Sequence, residues 1–344
     1  MENTKHLLVI RLSAMGDVAM TVPIIQVLSQ TYPMLNITVL SRAFLKPFFN
    51  DIPNVSFVAA DVYGKHKGLL GLYRLAKELK KLNIDAVADL HNVTRSKILS
   101  FYLKLLGIKN TATINKGRSA KKALVKATIH EAKPLKTTFE RYATVLKHLS
   151  FPINLENHQF PNKKALTKEL LAIVGEKKAK WIGIAPFAQY KTKTYPLDLM
   201  EEVLKQLAET ENTVLLFGGG EKETAILTKL AQKYNNAICI AGKTKLQGEL
   251  ALIAHLDLML AMDSANAHLA AMQGTPVITL WGATHPYAGF MPFNQPFENA
   301  ILPDLVKFPK LPCSIYGNKT CNGYEDVMRS IKPSTVVAKL NGFL

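Results

Sequence analysis

The stretch Leu258-Met259-Leu260-Ala261-Met262-Asp263-Ser264-Ala265-Asn266-Ala267-His268-Leu269-Ala270-Ala271-Met272 holds an aliphatic run, a short polar break and a second apolar segment. It predicts a strand over residues 258–261 that runs directly into a helix. The same unit, a short aliphatic or β-branched run followed by a longer segment of helical period, recurs along the chain. That alternation is the pattern of βαβ units stacked into a parallel sheet. It predicts strands over residues 7–11, 37–41, 55–58, 86–90 and 111–114, and a second set over 181–185, 214–218, 237–240, 258–261 and 277–281. The fold class expected is α/β, with two doubly wound parallel-sheet domains.

Between the two sets lies a segment, residues 151–180, with Pro152, Pro161, Asn-containing turns and a Lys-rich, helix-like stretch over 165–180, and the hinge is expected there. Open α/β sheets bind ligands outside the carboxyl ends of their strands, so two such domains facing each other create a central cleft between those ends. After Trp281 the chain turns loop-rich through His285-Pro286, Pro292, Pro296, Pro303, Pro309 and Pro312, before a last helix that Pro333 and Ser334 can start. The expected domains are residues 1–160, residues 161–325 and a C-terminal helical piece, residues 326–344, that can pack back on the first domain.

A chain of 344 residues exceeds what one core usually organises, since domains run to roughly 100–200 residues. The formal charge of +17, from 43 Lys+Arg against 26 Asp+Glu, predicts attraction to polyanions: nucleic acid, phosphorylated substrates or an anionic membrane surface. Cys239, Cys313 and Cys321 are an odd count without the short paired spacings of a zinc site or a disulfide framework, and a reducing cytosol fits best. The apolar run Leu7-Leu8-Val9-Ile10 is too short for a signal peptide, and no stretch approaches the roughly 20 uncharged apolar residues of a spanning helix. Any membrane contact is expected to be peripheral.

Four segments could carry chemistry. The first βα turn, Arg11-Leu12-Ser13-Ala14-Met15-Gly16-Asp17-Val18, lacks the Gly-x-Gly-x-x-Gly spacing of a dinucleotide fingerprint, which argues against an NAD-dependent oxidoreductase. Asp17 is either a helix N-cap or a carboxylate able to act as general base. The second domain opens with Ile184-Ala185-Pro186-Phe187-Ala188-Gln189-Tyr190-Lys191-Thr192-Lys193-Thr194-Tyr195-Pro196, where a lysine either meets a diphosphate or belongs to a solvated basic loop. Gly218-Gly219-Gly220 precedes Glu221 and Glu223, which can bind ribose hydroxyls or simply answer a helix dipole. Free N–H groups at Ser264, Ala265 and Asn266, at the start of a helix, form a ready diphosphate site. Asp263 could cap that helix or bind a sugar hydroxyl, and His268 has no second ligand at zinc spacing. Arg95, Lys116, Arg118, Lys121 and Lys122 lie in first-domain loops and could hold an acidic acceptor. They lack the aromatic interleaving of nucleic-acid platforms, so no nucleic-acid partner is expected.

Taken in order, Arg11-Leu12-Ser13-Ala14-Met15-Gly16-Asp17, Lys193-Thr194-Tyr195-Pro196 and Asp263 to His268 followed by Gly274-Thr275-Pro276 strongly resemble glycosyltransferase family 9, which includes the ADP-heptose:lipopolysaccharide heptosyltransferases. Trp281-Gly282-Ala283-Thr284-His285-Pro286 looks like that family's donor-side loop. The chain departs from the family at Ala265 and Asn266, where Gly is common, and at Gln189, where Thr is common.

The resemblance implies a GT-B architecture of two Rossmann-like domains, the first binding acceptor and the second nucleotide sugar. It implies Asp17 as the base that deprotonates the acceptor hydroxyl and Lys193, three residues before the Pro, as the donor-phosphate cation. Ser264 and Ala265 would cradle the diphosphate, with Asp263 and His268 near the donor sugar. Gln189, Gly218, Glu221, Glu223 and Asn266 complete the expected donor set, and Ser13, Met15, Gly16, Arg95, Lys116 and Arg118 the expected acceptor set. The expected reaction is an inverting, metal-independent transfer of heptose from ADP-heptose to an anionic Kdo-lipid A acceptor, with no cofactor. A cytoplasmic monomer, peripheral on the inner membrane face, would carry it out. The alternatives are a GT-B enzyme using another nucleotide sugar and a non-catalytic nucleotide- or glycan-binding relative.

Overall fold

A computed structural model describes residues 5–343. Met1 to Thr4, part of the stretch read against a signal peptide, and Leu344, the end of the 326–344 piece, lie outside the described residues. The described residues divide into two compact units, one of residues 5–117 and 138–160 and the other of residues 118–137 and 161–343.

The first unit is built on β1 (His6–Ile10), β2 (Asn36–Ser41), β3 (Val55–Ala59), β4 (Ala86–Asp89) and β5 (Asn110–Thr113), in the spatial order β3-β2-β1-β4-β5. All four pairings are parallel, with Ile10 beside both Leu40 and Asp89. Its helices are α1 (Met15–Ala19), α2 (Val22–Thr31), α3 (Gly68–Lys80) and α4 (Thr94–Leu105), with α6 (Thr138–His148) arriving after an excursion of the chain. β1 and β4 are buried almost throughout, because helices cover both faces of a parallel sheet and leave no solvent side on which polar residues could alternate. Leu8, Ile10, Leu75, Val87, Leu99 and Leu103 carry much of the core.

The excursion, residues 118–137, includes α5 (Arg118–Leu124) and joins the second unit, so residues 1–160 are not one domain as the sequence predicts. Ile129 and Leu135 donate backbone hydrogen bonds to Pro309 and Tyr287, which hold the segment to the loop-rich region. No periodicity marks such a loan of 20 residues. The lower boundary, at residues 160 and 161, lies within the expected hinge segment.

The second unit holds α7 (Lys168–Val174), β6 (Trp181–Ala185), α8 (Leu197–Leu207), β7 (Thr213–Leu216), α9 (Gly220–Lys233), β8 (Ala237–Cys239), α10 (Leu246–His255), β9 (Leu258–Met262), α11 (Ala265–Met272), β10 (Val277–Leu280), β11 (Ala300–Ile301) and α12 (Pro333–Asn341). Its parallel sheet runs β11-β10-β9-β6-β7-β8. The two-residue β11 has no sequence signal; it is edge pairing captured from the loop-rich region. α12 packs against α8 and buries Val336 and Leu340 in the core that Ile182, Leu216 and Leu260 line. The C-terminal helix therefore belongs to the second unit, a correction to the expected packing on the first, because its apolar face is filled there.

Both sheets reverse direction at their first strand. β1 leads to β2 on one side and β4 returns on the other; β6 leads to β7 and β9 returns on the other. In open α/β sheets this switch point opens a crevice at the carboxyl ends of the two central strands. The crevices are bounded by the loops after β1 and β4, and by the loops after β6 and β9.

Candidate active site

At the first switch point the chain leaves β1 through Arg11-Leu12-Ser13 and enters α1, the Ser13–Ala14 peptide bond being cis. Asp17 is the third residue of α1, not its N-cap. Its carboxylate accepts the Ala14 backbone N–H at 3.2 Å and lies 2.5 Å from the Arg11 guanidinium. Arg11 is buried, and its Nη1 donates to the Leu90 carbonyl at 2.7 Å, so the guanidinium bridges the ends of β1 and β4. Burial works to lower its pKa, yet Tyr142, ionised only at the high pH where Arg11 itself titrates, together with Asp17 and Asp89 outweighs that and raises it, so the cation persists. The Tyr142 hydroxyl, pushed up by burial, stays protonated and donates to the Asp17 carbonyl at 3.3 Å.

The facing loop is shaped by buried Asp89. It accepts the His91 and Asn92 backbone N–H groups, each at 2.9 Å, and the Ser96 hydroxyl at 3.0 Å. This turn sets His91 Nε2 at 3.5 Å from Ser13 Oγ. Burial, then the positive fields of Arg11 and Lys116, lower the His91 pKa to about 3, so the ring is neutral near pH 7; Arg95 pushes the same way. Arg95 lies at 5.8 Å over the Tyr63 ring. Ser13, Met15, Gly16, Arg95 and Lys116 of the expected acceptor set thus surround one corner. Arg118 is exposed and opens α5 in the second unit. Lys121, read as a basic loop residue, is buried with Nζ at 4.1 Å from the Phe290 ring and 5.6 Å from that of Tyr316.

At the second switch point, β6 ends at Ala185 and a short 3-10 turn over Lys191–Lys193 follows. The Lys193 side chain is largely buried, with Nζ 3.2 Å from Asp263 Oδ2. Asp263 is the first residue after β9, and the same oxygen accepts from the Thr284 hydroxyl at 2.8 Å. Three loops, after β6, β9 and β10, therefore converge on one carboxylate. Asp263 does not cap α11; Ser264 does, with no side-chain hydrogen bond to the helix. The Ser264 hydroxyl oxygen is buried and has no hydrogen-bond partner among the described residues, and Ala265 and Asn266 are half-buried beside it. Uncapped N–H groups, an unpartnered hydroxyl and an adjacent ammonium together suit an anion with several oxygens.

The rest of the expected donor set is placed differently. His268 is the fourth residue of α11 and buried. Gln189 and Glu221 are exposed. The Glu223 carboxylate accepts the Gly219 N–H at 2.8 Å, a first-turn role in α9. A Cβ on Gly218 would come within 2.7 Å of Leu227 and 3.1 Å of Glu223, so its close approach is to its own helix. Among the described residues no hydrogen bond or ion pair ties Gln189, Gly218, Glu221 or Glu223 to the Lys193–Asp263 pair.

Lys193 also rests on a loop that the sequence did not connect to it. Gly317 has φ +72°, and a Cβ there would lie 2.4 Å from Lys193 Cγ and 2.6 Å from Cδ, so the lysine stem crosses over a bare backbone. The Thr192 hydroxyl donates to the Gly317 carbonyl. Cys313 and Cys321 close this loop as a disulfide with Cα atoms 6.2 Å apart, a correction to the expected absence of any pair. The turn at Gly317 brings them together, which a spacing of eight residues alone does not announce. Arg11, His91, Thr284 and Gly317 are the residues that sequence reasoning left without a role. Arg11 carried the one available signal, a charge set at the end of an apolar strand.

The sequence pattern of glycosyltransferase family 9 (heptosyltransferase) matches residues 72–310. The chain is 28% identical over 309 residues to the lipopolysaccharide core heptosyltransferase OpsX of Haemophilus influenzae, covering 83% of this chain and 81% of that one. Among solved structures it resembles a family 9 glycosyl transferase from Veillonella parvula, with TM-score 0.77 and 18% identity over 100% of this chain and 98% of the other. It also resembles the E. coli ADP-heptose lipopolysaccharide heptosyltransferase II, with TM-score 0.70 and 21% identity over 98% of each chain. These structural likenesses show the GT-B fold. The match across residues 72–310 goes further: the chain belongs to glycosyltransferase family 9.

Proposed function

We propose that the chain transfers heptose from ADP-heptose to the inner core of a lipopolysaccharide, on an acceptor of the Kdo-lipid A type, with inversion at the anomeric carbon. The observation that carries this reading is the second switch point: the unpartnered Ser264 hydroxyl at the uncapped start of α11, beside Lys193 held by Asp263. That combination of dipole, hydroxyl and cation fits a nucleotide diphosphate, and the relatives named above take their names from heptose transfer. Asp17 takes the proton from the acceptor hydroxyl. The oxygen attacks the anomeric carbon, the bond from that carbon to the diphosphate breaks, and Lys193 with the Ser264 and Ala265 amides stabilises the charge that collects on departing ADP.

In this reading the first unit binds the acceptor and the second the donor. Arg95 and Lys116 face its acidic groups, and Arg11 holds the Asp17 carboxylate in place. The reaction needs neither metal nor cofactor, and a monomer works in the cytoplasm, peripheral on the inner membrane face. The test is ADP release from ADP-heptose with and without Kdo-lipid A, followed by mass analysis of the lipid and a parallel run in EDTA. Acceptor-dependent release with a heptose increment, insensitive to EDTA, is the expected result. Turnover only with another nucleotide sugar would discard the donor, and EDTA inhibition reversed by added divalent metal would discard metal independence.

A further inference from the structure

α3 and α4 pack together in the first unit, and the faces they turn outward are unlike an ordinary solvated surface. Large apolar side chains stand out from them: Leu70 is 84% exposed, Leu105 67%, Leu69 60% and Phe101 57%. On α3, Leu69, Tyr73, Lys77 and Lys80 follow helical spacing with Leu70 and Arg74 alongside; on α4, Lys97, Phe101, Lys104 and Leu105 share one stripe. Aromatic contacts join the two faces, Tyr73 edge-on to Tyr102 at 5.4 Å and Tyr102 to Phe101 at 6.0 Å. Exposed apolar side chains thus run over both helices, joined by these rings, with basic residues among them. A patch of this kind marks an interaction surface.

Charge decides what fits there. Lys67, Arg74, Lys80, Lys97 and Lys104 are exposed and none is ion-paired among the described residues. The one carboxylate on α3 and α4, Glu78, is already held by Lys65 at 2.6 Å and His66 at 3.2 Å. No described helix is long and apolar enough to cross a membrane. We propose that the shared outer face of α3 and α4 docks the protein on an anionic lipid bilayer. The apolar side chains enter the headgroup region, and the lysines and arginines meet lipid phosphates.

The proposal deepens the peripheral placement given above and rests on the acceptor being a lipid. It also accounts for the position of Arg95, the second residue of α4, whose guanidinium stacks on Tyr63 at 5.8 Å. The helix that meets the bilayer begins at the corner occupied by Ser13 and His91, so an acceptor anchored in that bilayer has a short path to it.

The experiment is co-sedimentation of the full chain with vesicles of phosphatidylglycerol and phosphatidylcholine, or of phosphatidylcholine alone, with no donor or acceptor present. Failure of heptose transfer therefore cannot be mistaken for failure of docking. The expected result is binding to the anionic vesicles only, weakened by salt. The paired change Leu70→Glu with Phe101→Glu, and separately Lys77→Ala with Lys97→Ala and Lys104→Ala, should each lower partitioning at least about tenfold. Thermal melting and turnover on a detergent-dispersed acceptor should stay unchanged. The proposal is overturned if both variants pellet like the parent. It is equally overturned if light scattering finds an oligomer that Leu70→Glu with Phe101→Glu converts to monomers, because the face would then join copies of this chain.

Discussion

The two switch points solve the same electrostatic problem by opposite routes. In the first unit a carboxylate, Asp17, is paired with a cation six residues earlier in the same loop, Arg11. In the second a cation, Lys193, is paired with a carboxylate 70 residues later, Asp263, brought beside it only because β9 lies next to β6. The Asp17 side chain is one-third exposed, whereas those of Lys193 and Asp263 are nearly buried. A locally built pair leaves its carboxylate open to a substrate and weakly coupled to the fold. A pair built by sheet order is part of the fold, so its chemistry and its stability are difficult to separate.

That contrast can be broken most directly at Asp17. Asp17→Asn, which leaves an acceptor for Arg11, should lower kcat by roughly 10²–10⁴-fold while the melting temperature barely moves; a large loss of stability would erase the distinction between the pairs. Asp263→Ala should do the reverse at first sight, costing about 3–5 kcal/mol in denaturant unfolding because Lys193 is left buried without its partner. Lys193→Met removes the charge but keeps the stem, and kcat/KM should fall by roughly 10²–10³-fold with less harm to the fold than Asp263→Ala. Gly317→Ala sharpens the comparison further. It forces a methyl into the Lys193 stem at a left-handed backbone position, for an expected cost of about 1–3 kcal/mol and a raised KM for the donor with kcat less affected.

The smallest effect is in acid. Burial lowers His91 to about 3 and His158 and His285 to about 4, from the ordinary 6.5. Below pH 6.5 the unfolded chain takes up protons that the folded rings refuse, so stability is fully present above that pH and falls as pH drops toward 4. Two of these rings belong to the first unit and one to the second. Hydrogen exchange at pH 5 should therefore loosen the first unit more, and His158→Gln should flatten its response.

Much of this was legible in the chain itself. The ten short aliphatic or β-branched runs became strands within a residue or two of their expected ends, and the central β6 and β9 are apolar throughout because they are buried on both faces. Asp17, Lys193 and Asp263 follow the carboxyl ends of β1, β6 and β9, the places where open sheets of this kind bind ligands. What stayed hidden depended on partners distant in sequence. Nothing in α5 or the residues after it says that Ile129 and Leu135 will bond to Pro309 and Tyr287. On spacing alone Glu221 and Glu223 suit ribose hydroxyls and a helix dipole equally, and only the hydrogen bond from Gly219 shows Glu223 engaged in its own helix. Gly317 is one glycine among 19 until Lys193 is seen lying across it.

The loan of residues 118–137 has a consequence for anyone recombining this chain with a relative. The polypeptide passes between its units after Gly117, after Thr137 and after Phe160. A chimera spliced once, near residue 160, would therefore carry the foreign second unit against a native α5 segment, with Lys121 facing whatever replaces Phe290 and Tyr316. Exchange of a whole unit takes three junctions. Natural shuffling of such halves would meet the same barrier, so the two are expected to be inherited together.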